Sequence, residues 1–332
     1  MSETLSESRV ARRLRFRDLQ VFFAIVECGS MAKAAARLKM TQPAVSEIVA
    51  ALESAFAAQL FDRSPRGVEA TIYGRALLKR GLAAFDELKQ GIRDIEFLAD
   101  PTTGEVRLGC TDAISATILP AVQNFCIEFP RIALRVDTLA IPTGDLPELQ
   151  ARKVDFVLTR LSSPNQFGDE LNMEILVDDP PVVVAGANSP WARRRKIDLS
   201  ELVDEPWTCT PRDTLTTMLI EEMFRASNLP VPRTRVTTYS VLLRTHLLAR
   251  GNFLAALPRS MLRLNTEGIG LRELPVELPR RSFPIIIVTL KNRVLSAAAE
   301  LFLERLRAFV RSNFPGERAG RGMSESVGSR RQ

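Results

Sequence analysis

Along residues 16–28, "FRDLQVFFAIVEC", apolar side chains fall at Leu19, Phe22, Phe23 and Val26, the spacing of one buried helical face. Gly29 stops that run, and Ser30 is a ready N-cap for a short alanine-rich helix through Leu38. Ala34 and Ala35 are small where a second helix must cross closely. Thr41 caps the next helix, and Pro43 falls in its first turn, where its missing N–H costs nothing. Val45, Ile48, Val49, Leu52 and Phe56 then make a single inward stripe. The pattern predicts three helices with a tight turn between the second and third.

The helical period breaks over 57–71, where "SPRG" reads as the tip of a two-stranded wing. It resumes at Ile72. Leu78, Leu82, Phe85, Leu88 or Lys89, Ile92, Ile95 and Ala99 recur at steps of three and four, the seam of a coiled coil that Gly81 and Gly91 weaken. "DPTTG" at 100–104 ends this helix as a hinge. Strand-like runs follow at 105–110, 132–139, 154–160, 180–186, 233–239, 253–258 and 284–290. Helical patterns at 116–128, 214–227, 241–249 and 294–311 separate most of them. The alternation predicts a layered α/β domain built on parallel sheet. The last 20 residues, rich in Gly, Ser and Arg, read as a disordered tail.

Length and composition narrow this picture. A chain of 332 residues suggests two or three units, and 45% apolar with 25% charged residues is ordinary for a globular protein. The longest apolar runs, such as "PIIIVTL" at 284–290, are too short to span a bilayer. "MSETLSESRVARRLR" lacks the apolar core of a secretory signal, so a cytoplasmic protein without membrane partners is expected. The net charge of +6 sits in the tails: residues 1–17 and 311–332 each hold five Arg and two Glu, and the remainder balances. Bulk charge is therefore weak evidence for nucleic acid, and any such claim rests on pattern. Cys28, Cys110, Cys126 and Cys209 form no CxxC and read as buried thiols. The single histidine, His246, excludes a multi-His metal site and leaves too few partners for Ser–His or Cys–His chemistry. No catalytic residue, metal or cofactor is expected.

The run "LQVFFAIVECGSMAKAAARLKMTQPAVSEIVAALESAFAAQLFDRSPRGVEATIYG" (19–74) resembles the DNA-binding domain of LysR-type transcriptional regulators. The likeness rests on Leu19, Phe22, Gly29–Ser30, Ala34–Ala35, Leu38, Gln42 to Ser46, Leu52–Glu53, Leu60–Phe61, Arg63, Thr71 and Gly74, spaced without gaps. "GEVRLG", "ILPAVQNFCIEFP", "KVDFVLTR" and "LLARGNFLAALP" look like the family's effector-binding domain, more loosely. The resemblance covers roughly residues 14–312. It implies an N-terminal all-α winged helix-turn-helix, a long linker helix, and a C-terminal two-lobed α/β domain of the type 2 periplasmic-binding-protein fold. The expected organisation is a flexible basic arm at 1–13, a winged domain at 14–71 with its helix-turn-helix at about 31–50, and a linker at 72–100. An effector-binding domain follows at 105–312, with lobe I at about 105–180 and 275–312, lobe II at about 181–274, and a tail at 313–332. The resemblance also implies a homodimer through the linker, usually assembled as a tetramer, with double-stranded operator DNA, a small-molecule effector and RNA polymerase as partners.

This sequence departs from the family at Phe56–Ala57, where Leu-Gly is usual. It also departs in the third helix, which commonly carries Arg or Lys after the Ser but here holds Glu47, Ala50 and Ala51. From Met40 to Asp62 there is no Lys or Arg. With the apolar stripe inward, the helix presents Gln42, Pro43, Ser46, Glu47 and Ala50. Gln42 suits adenine, Ser46 several bases, Glu47 a cytosine amino group, and Pro43 with Ala44 a thymine methyl. Attraction to phosphates then falls to Lys33, Arg37 and Lys39 before this helix, to Arg63 and Arg66 on the wing, and to the basic arm. Ser30 and Thr41 complete the DNA-binding set.

For the effector, Thr111 and Asp112 follow the first α/β strand, Arg160 ends "VDFVLTR", Thr210 and Arg212 lie in "CTPRDT", and Ser240 precedes a helix. Arg160 and Arg212 favour an anionic effector, while Asp112 favours hydroxyls or an amine. Three other readings compete. One is a cytoplasmic small-molecule-binding protein or enzyme on the same lobes. The second is a coiled-coil adaptor. The third is a thiol redox sensor using Cys110 and Cys209.

Overall fold

The computed structural model describes residues 14–64, 67–139, 145–161, 166–212, 214–264, 270–278 and 284–314. The basic arm, residues 315–332 of the expected tail, and Pro65 and Arg66 at the wing tip lie outside the described residues. The chain divides into two compact units, Met1–Gly91 and Ile92–Gln332.

In the first unit, α1 (Phe16–Cys28) closes on Gly29, whose φ of 61° lets its N–H reach the Ile25 carbonyl. α2 (Met31–Arg37) starts from Ser30, whose Oγ accepts from the Lys33 amide at 3.5 Å. α3 (Gln42–Phe56) starts from Thr41, whose Oγ1 accepts from the Ala44 amide at 3.4 Å. Phe22, Ile25, Ala34, Val45, Val49 and Leu52 are buried where the three helices meet, and Ile48 and Phe56 are half-buried at the margin. The stripe is therefore narrower than its spacing suggests.

The wing is a hairpin of β1 (Phe61–Ser64) and β2 (Gly67–Ala70). Glu53 Oε1 accepts from the Leu60 and Phe61 amides at 2.8 and 3.3 Å, tying α3 to the wing. α4 (Ile72–Ala99) then begins at Thr71, whose Oγ1 donates to the Gln59 carbonyl and accepts from the Gly74 amide. A Cβ on Gly74 would sit 2.2 Å from the Leu60 carbonyl oxygen, so only glycine lets this helix pass the wing. Gly74→Ala should cost about 1–3 kcal/mol of stability. Urea unfolding followed by far-UV ellipticity checks this, and an unchanged midpoint would mean that helix and wing separate freely.

The apolar seam of α4 divides. Leu78, Leu82 and Phe85 pack against the first unit's own core, whereas Leu88, Ile92 and Ile95 are exposed. Only the C-terminal half of the expected seam is therefore open to a partner helix.

In the second unit the strands and helices run β3 (Gly104–Cys110), α5 (Asp112–Glu128), β4 (Ile132–Thr138), α6 (Pro147–Gln150), β5 (Phe156–Arg160), β6 (Leu171–Asp178) and β7 (Pro181–Gly186). They continue β8 (Trp207–Cys209), α7 (Leu215–Ala226), β9 (Thr234–Thr237), α8 (Val241–Arg250), β10 (Ala255–Pro258), α9 (Arg259–Leu264), β11 (Leu271–Glu273), β12 (Pro284–Leu290) and α10 (Ala297–Asn313). One lobe holds a five-stranded sheet in the order β4-β3-β5-β12-β6; the other holds β10-β7-β11 and the pair β8-β9.

The sheets are mixed rather than parallel. β3 runs parallel to β4 and β5, but β12 returns from the second lobe and pairs antiparallel with β5 and β6. β7 is antiparallel to both its neighbours. β6, an edge strand with four consecutive exposed residues, was missed by the sequence reading although Leu171, Met173, Ile175 and Val177 alternate with Asn172 and Glu174. α5 starts at Asp112, four residues before the expected start at 116, which puts Thr111 at its N-cap. The folded chain also runs beyond the expected tail boundary, since Phe314 is buried against the first lobe.

Candidate DNA-reading helix and ligand cavity

α3 buries Val45, Val49 and Leu52 and exposes Gln42, Pro43, Glu47, Ala50 and Ala51. Ser46 is half-buried, and its hydroxyl donates to Met31 Sδ at 3.8 Å, so it faces α2 more than the open side. Ser30 and Thr41 serve first as helix caps. Lys33, Lys39 and Arg63 are exposed cations on the flanks of α3. Arg37 differs: it forms an ion pair with Glu27 on α1, which offsets its charge. Arg66 lies outside the described residues.

In the second unit, the C-terminal ends of the parallel strands β3, β4 and β5 open onto a cavity of about 270 Å³. Crevices at such strand ends are where ligands of open α/β sheets bind. Thr111, Asp112, Thr138, Thr159 and Arg160 line it from the first lobe, and Thr210, Thr214, Thr216, Tyr239, Val241 and Arg244 from the second. Leu139, Ala256 and Pro258 add apolar wall. A larger cavity of about 570 Å³, lined by Val182, Leu219, Met223 and Leu274, shares none of these walls and touches none of the three strand ends.

Of the six residues expected at the effector, Thr111, Asp112, Arg160 and Thr210 line this cavity, and two do not. The Arg212 side chain is 91% exposed, and its Nε lies 3.7 Å from Glu221, so it points along the outside of α7. Ser240 caps α8 instead, its Oγ accepting from the Leu243 amide at 3.2 Å. Three of the four lining residues are already engaged, Thr210 through its hydroxyl with Thr214 and Thr217. Asp112 accepts from the Val241 amide at 2.7 Å, so a carboxylate from the first lobe caps a helix of the second.

Arg160 donates to the Asp179 carboxylate at 2.6 Å and to the Asp179 carbonyl at 2.9 Å. The same carboxylate accepts from the Ser260 amide and hydroxyl, and Ser260 pairs with Thr117 at 3.0 Å. This knot ties the β6–β7 crossing between the lobes to α9 and, through Thr117, to α5. It neutralises the cation that the sequence offered for an anionic ligand.

The charged lining residue missed by sequence reasoning is Arg244, and Thr159 and Thr216 were missed with it. Arg244 shares the inward face of α8 with Val241 and Leu248. A cation at that apolar register, three residues after Val241 and four before Leu248, was the available signal.

The cysteines do not support a redox switch. All four are free, and Cys110 and Cys209 are buried without lining the cavity. Burial, with the neighbouring Asp112 charge, pushes the Cys110 thiol up to about 12, and burial raises Cys209 as well. Cys126 is exposed. Alkylation of the native protein at pH 8 should modify Cys126 and spare Cys110 and Cys209. Labelling of Cys110 at the rate of Cys126 would contradict this burial.

A winged helix-turn-helix joined to a two-lobed domain with a cavity at its strand ends defines a DNA-binding regulator that takes a small molecule. Residues 16–75 match the family described as bacterial regulatory helix-turn-helix protein, lysR family, and residues 99–311 match the LysR substrate binding domain. The chain belongs to the LysR family of transcriptional regulators. The HTH-type transcriptional regulator GbpR of Azospirillum brasilense is 26% identical over 299 residues, which span 89% of this chain and 86% of that one. A full-length OxyR variant of Pseudomonas aeruginosa shares the fold with a TM-score of 0.62 at 19% identity, over 90% of this chain and 95% of that one. Full-length CbnR complexed with its target DNA gives a TM-score of 0.50 at 19% identity, over 90% and 100%. Among the described residues no single helix is long and apolar enough to cross a membrane.

Proposed function

We propose that this regulator separates specificity from attraction on its DNA-binding surface. Gln42, Pro43 and Glu47 meet base edges in the major groove, while Lys33, Lys39 and Arg63 hold phosphates. The observation that carries this reading is the exposed face of α3, which bears Glu47 and no cation, set between exposed cations on either side. Ser46 serves mainly to lock α3 on α2. The CbnR structure is of a DNA complex, which supports the same use of this fold.

The protein works as a homo-oligomer in the cytoplasm and carries no catalytic function. Leu88, Ile92 and Ile95 on α4 supply the dimer contact, because apolar residues so exposed on one long helix match a partner copy. A small molecule binds the 270 Å³ cavity and draws the lobes together. Lobe closure shifts the population of oligomer arrangements and so the placement of the DNA-reading heads.

Selection of bound fragments from a random DNA pool by the purified chain tests the reading. Two related half-sites should be enriched, with centres about 10 base pairs apart or a multiple of that. Glu47→Ala should change the preferred base at one position of each half-site. Absence of any enriched motif at moderate salt would overturn the proposal.

A further inference from the structure

Arg244 is only 2% exposed, yet it borders the cavity. Its Nη2 donates to the Ala256 carbonyl at 2.7 Å, and its Nε has no acceptor. Among the described residues no carboxylate pairs with it. The other charged groups in the wall are engaged, Arg160 by Asp179 and Asp112 by the Val241 amide. The nearby Cys209 thiol is held protonated by burial and supplies no counter-charge. Burial lowers the Arg244 pKa to about 10, which still leaves the guanidinium charged at neutral pH. A buried cation without an ion-pair partner and with an unsatisfied N–H is costly to a protein that gains nothing from it.

The neighbouring hydroxyls point the same way. Thr159 is 3% exposed and lines the cavity, and its hydroxyl has no hydrogen-bond partner among the described residues. Thr111 stands at the N-cap of α5 without making the capping bond, and Thr216 also lines the cavity. Leu139, Val241, Ala256 and Pro258 supply apolar wall between these polar points. Arg244 makes no ion pair and so can take one negative charge from a ligand, while the Asp112 carboxylate on the same wall disfavours a second. A guanidinium fork fits a planar carboxylate better than it fits a sphere of charge.

We propose that Arg244 is the anchor of the effector site, and that the effector is a small hydroxylated carboxylic acid. Its carboxylate pairs with Arg244 and its hydroxyls meet Thr111, Thr159 and Thr216. This rests on the reading of the cavity as the effector site.

Thermal unfolding of the full chain tests it, with benzoate, 4-hydroxybenzoate, D-glycerate and D-gluconate as probes against chloride at constant ionic strength. The matching amides are the neutral controls. At least one hydroxylated carboxylate should raise the midpoint by about 2 °C or more, and its amide should not. Arg244→Met should abolish the rise, with the ligand-free protein no less stable than the wild type. Arg244→Lys, which keeps the charge but not the fork, should retain part of the rise and guards against a misfolded methionine variant. The proposal falls if amides stabilise as well as carboxylates, if no carboxylate raises the midpoint, or if Arg244→Met keeps the response.

Failure of the cavity reading itself looks different. Thr216→Phe, whose ring fills the cavity, would then leave every ligand-induced shift in place. If Thr216→Phe removes a shift that the amides also produce, the site stands and only the charge assignment is lost.

Discussion

Asp179→Ala will destabilise the effector-binding unit by about 3–5 kcal/mol, because it leaves a buried guanidinium without its counter-charge. The Arg160 side chain is 9% exposed and that of Asp179 is 2% exposed, so water replaces the lost partner only in part. The loss extends beyond one ion pair. Asp179 also holds the Ser260 amide and hydroxyl, so the β6–β7 crossing loses its tie to α9 as well. Asp179→Asn keeps the shape and some of these bonds but not the charge, and it should fall between the alanine variant and the wild type. Both tryptophans, Trp191 and Trp207, lie in this unit, so fluorescence during urea unfolding reports it selectively. A midpoint shared by Asp179→Ala and the wild type would mean that the pair contributes nothing to the folded state.

The second large effect is on DNA. Gln42 stands exposed at the first position of α3, and its amide is the group on that face suited to a bidentate contact with adenine. Gln42→Ala should weaken operator binding by about 1–3 kcal/mol and leave binding to unrelated DNA unchanged. The substitution removes no buried contact, so folding should be untouched. Equal loss on both DNAs would assign Gln42 to the phosphate backbone.

The first unit was legible in the sequence because each local signal acts alone. Ser30 and Thr41 cap the helices they precede, Gly29 takes the left-handed turn, and Val45, Val49 and Leu52 repeat at helical spacing. Ser46 was misjudged by a fraction of a turn: the spacing placed it opposite the stripe, whereas its hydroxyl reaches Met31. The seam of α4 was read at the right steps. That spacing could not tell that Leu78 and Phe85 serve the unit's own core while Ile92 and Ile95 stay exposed.

The cavity was harder because its chemistry depends on pairings between distant segments. Asp179 lies 19 residues from Arg160 and 81 from Ser260, and no local pattern joins them. Arg212 looked suitable from its loop, but that loop turns its side chain outward. Arg244 carried no motif of its own in the sequence, and only the packing of α8 places it inside.

The account stands most directly on the salt dependence of binding to an operator duplex and to a scrambled duplex, measured for the wild type, Gln42→Ala and Arg63→Ala. Arg63→Ala should weaken both duplexes by a similar factor and reduce the slope of log K against log salt by about 1. Gln42→Ala should weaken the operator alone and leave the slope unchanged. If Gln42→Ala instead flattens the slope, or Arg63→Ala alters only the preference between duplexes, then specificity and attraction are not divided as the exposed face of α3 and its flanking cations suggest.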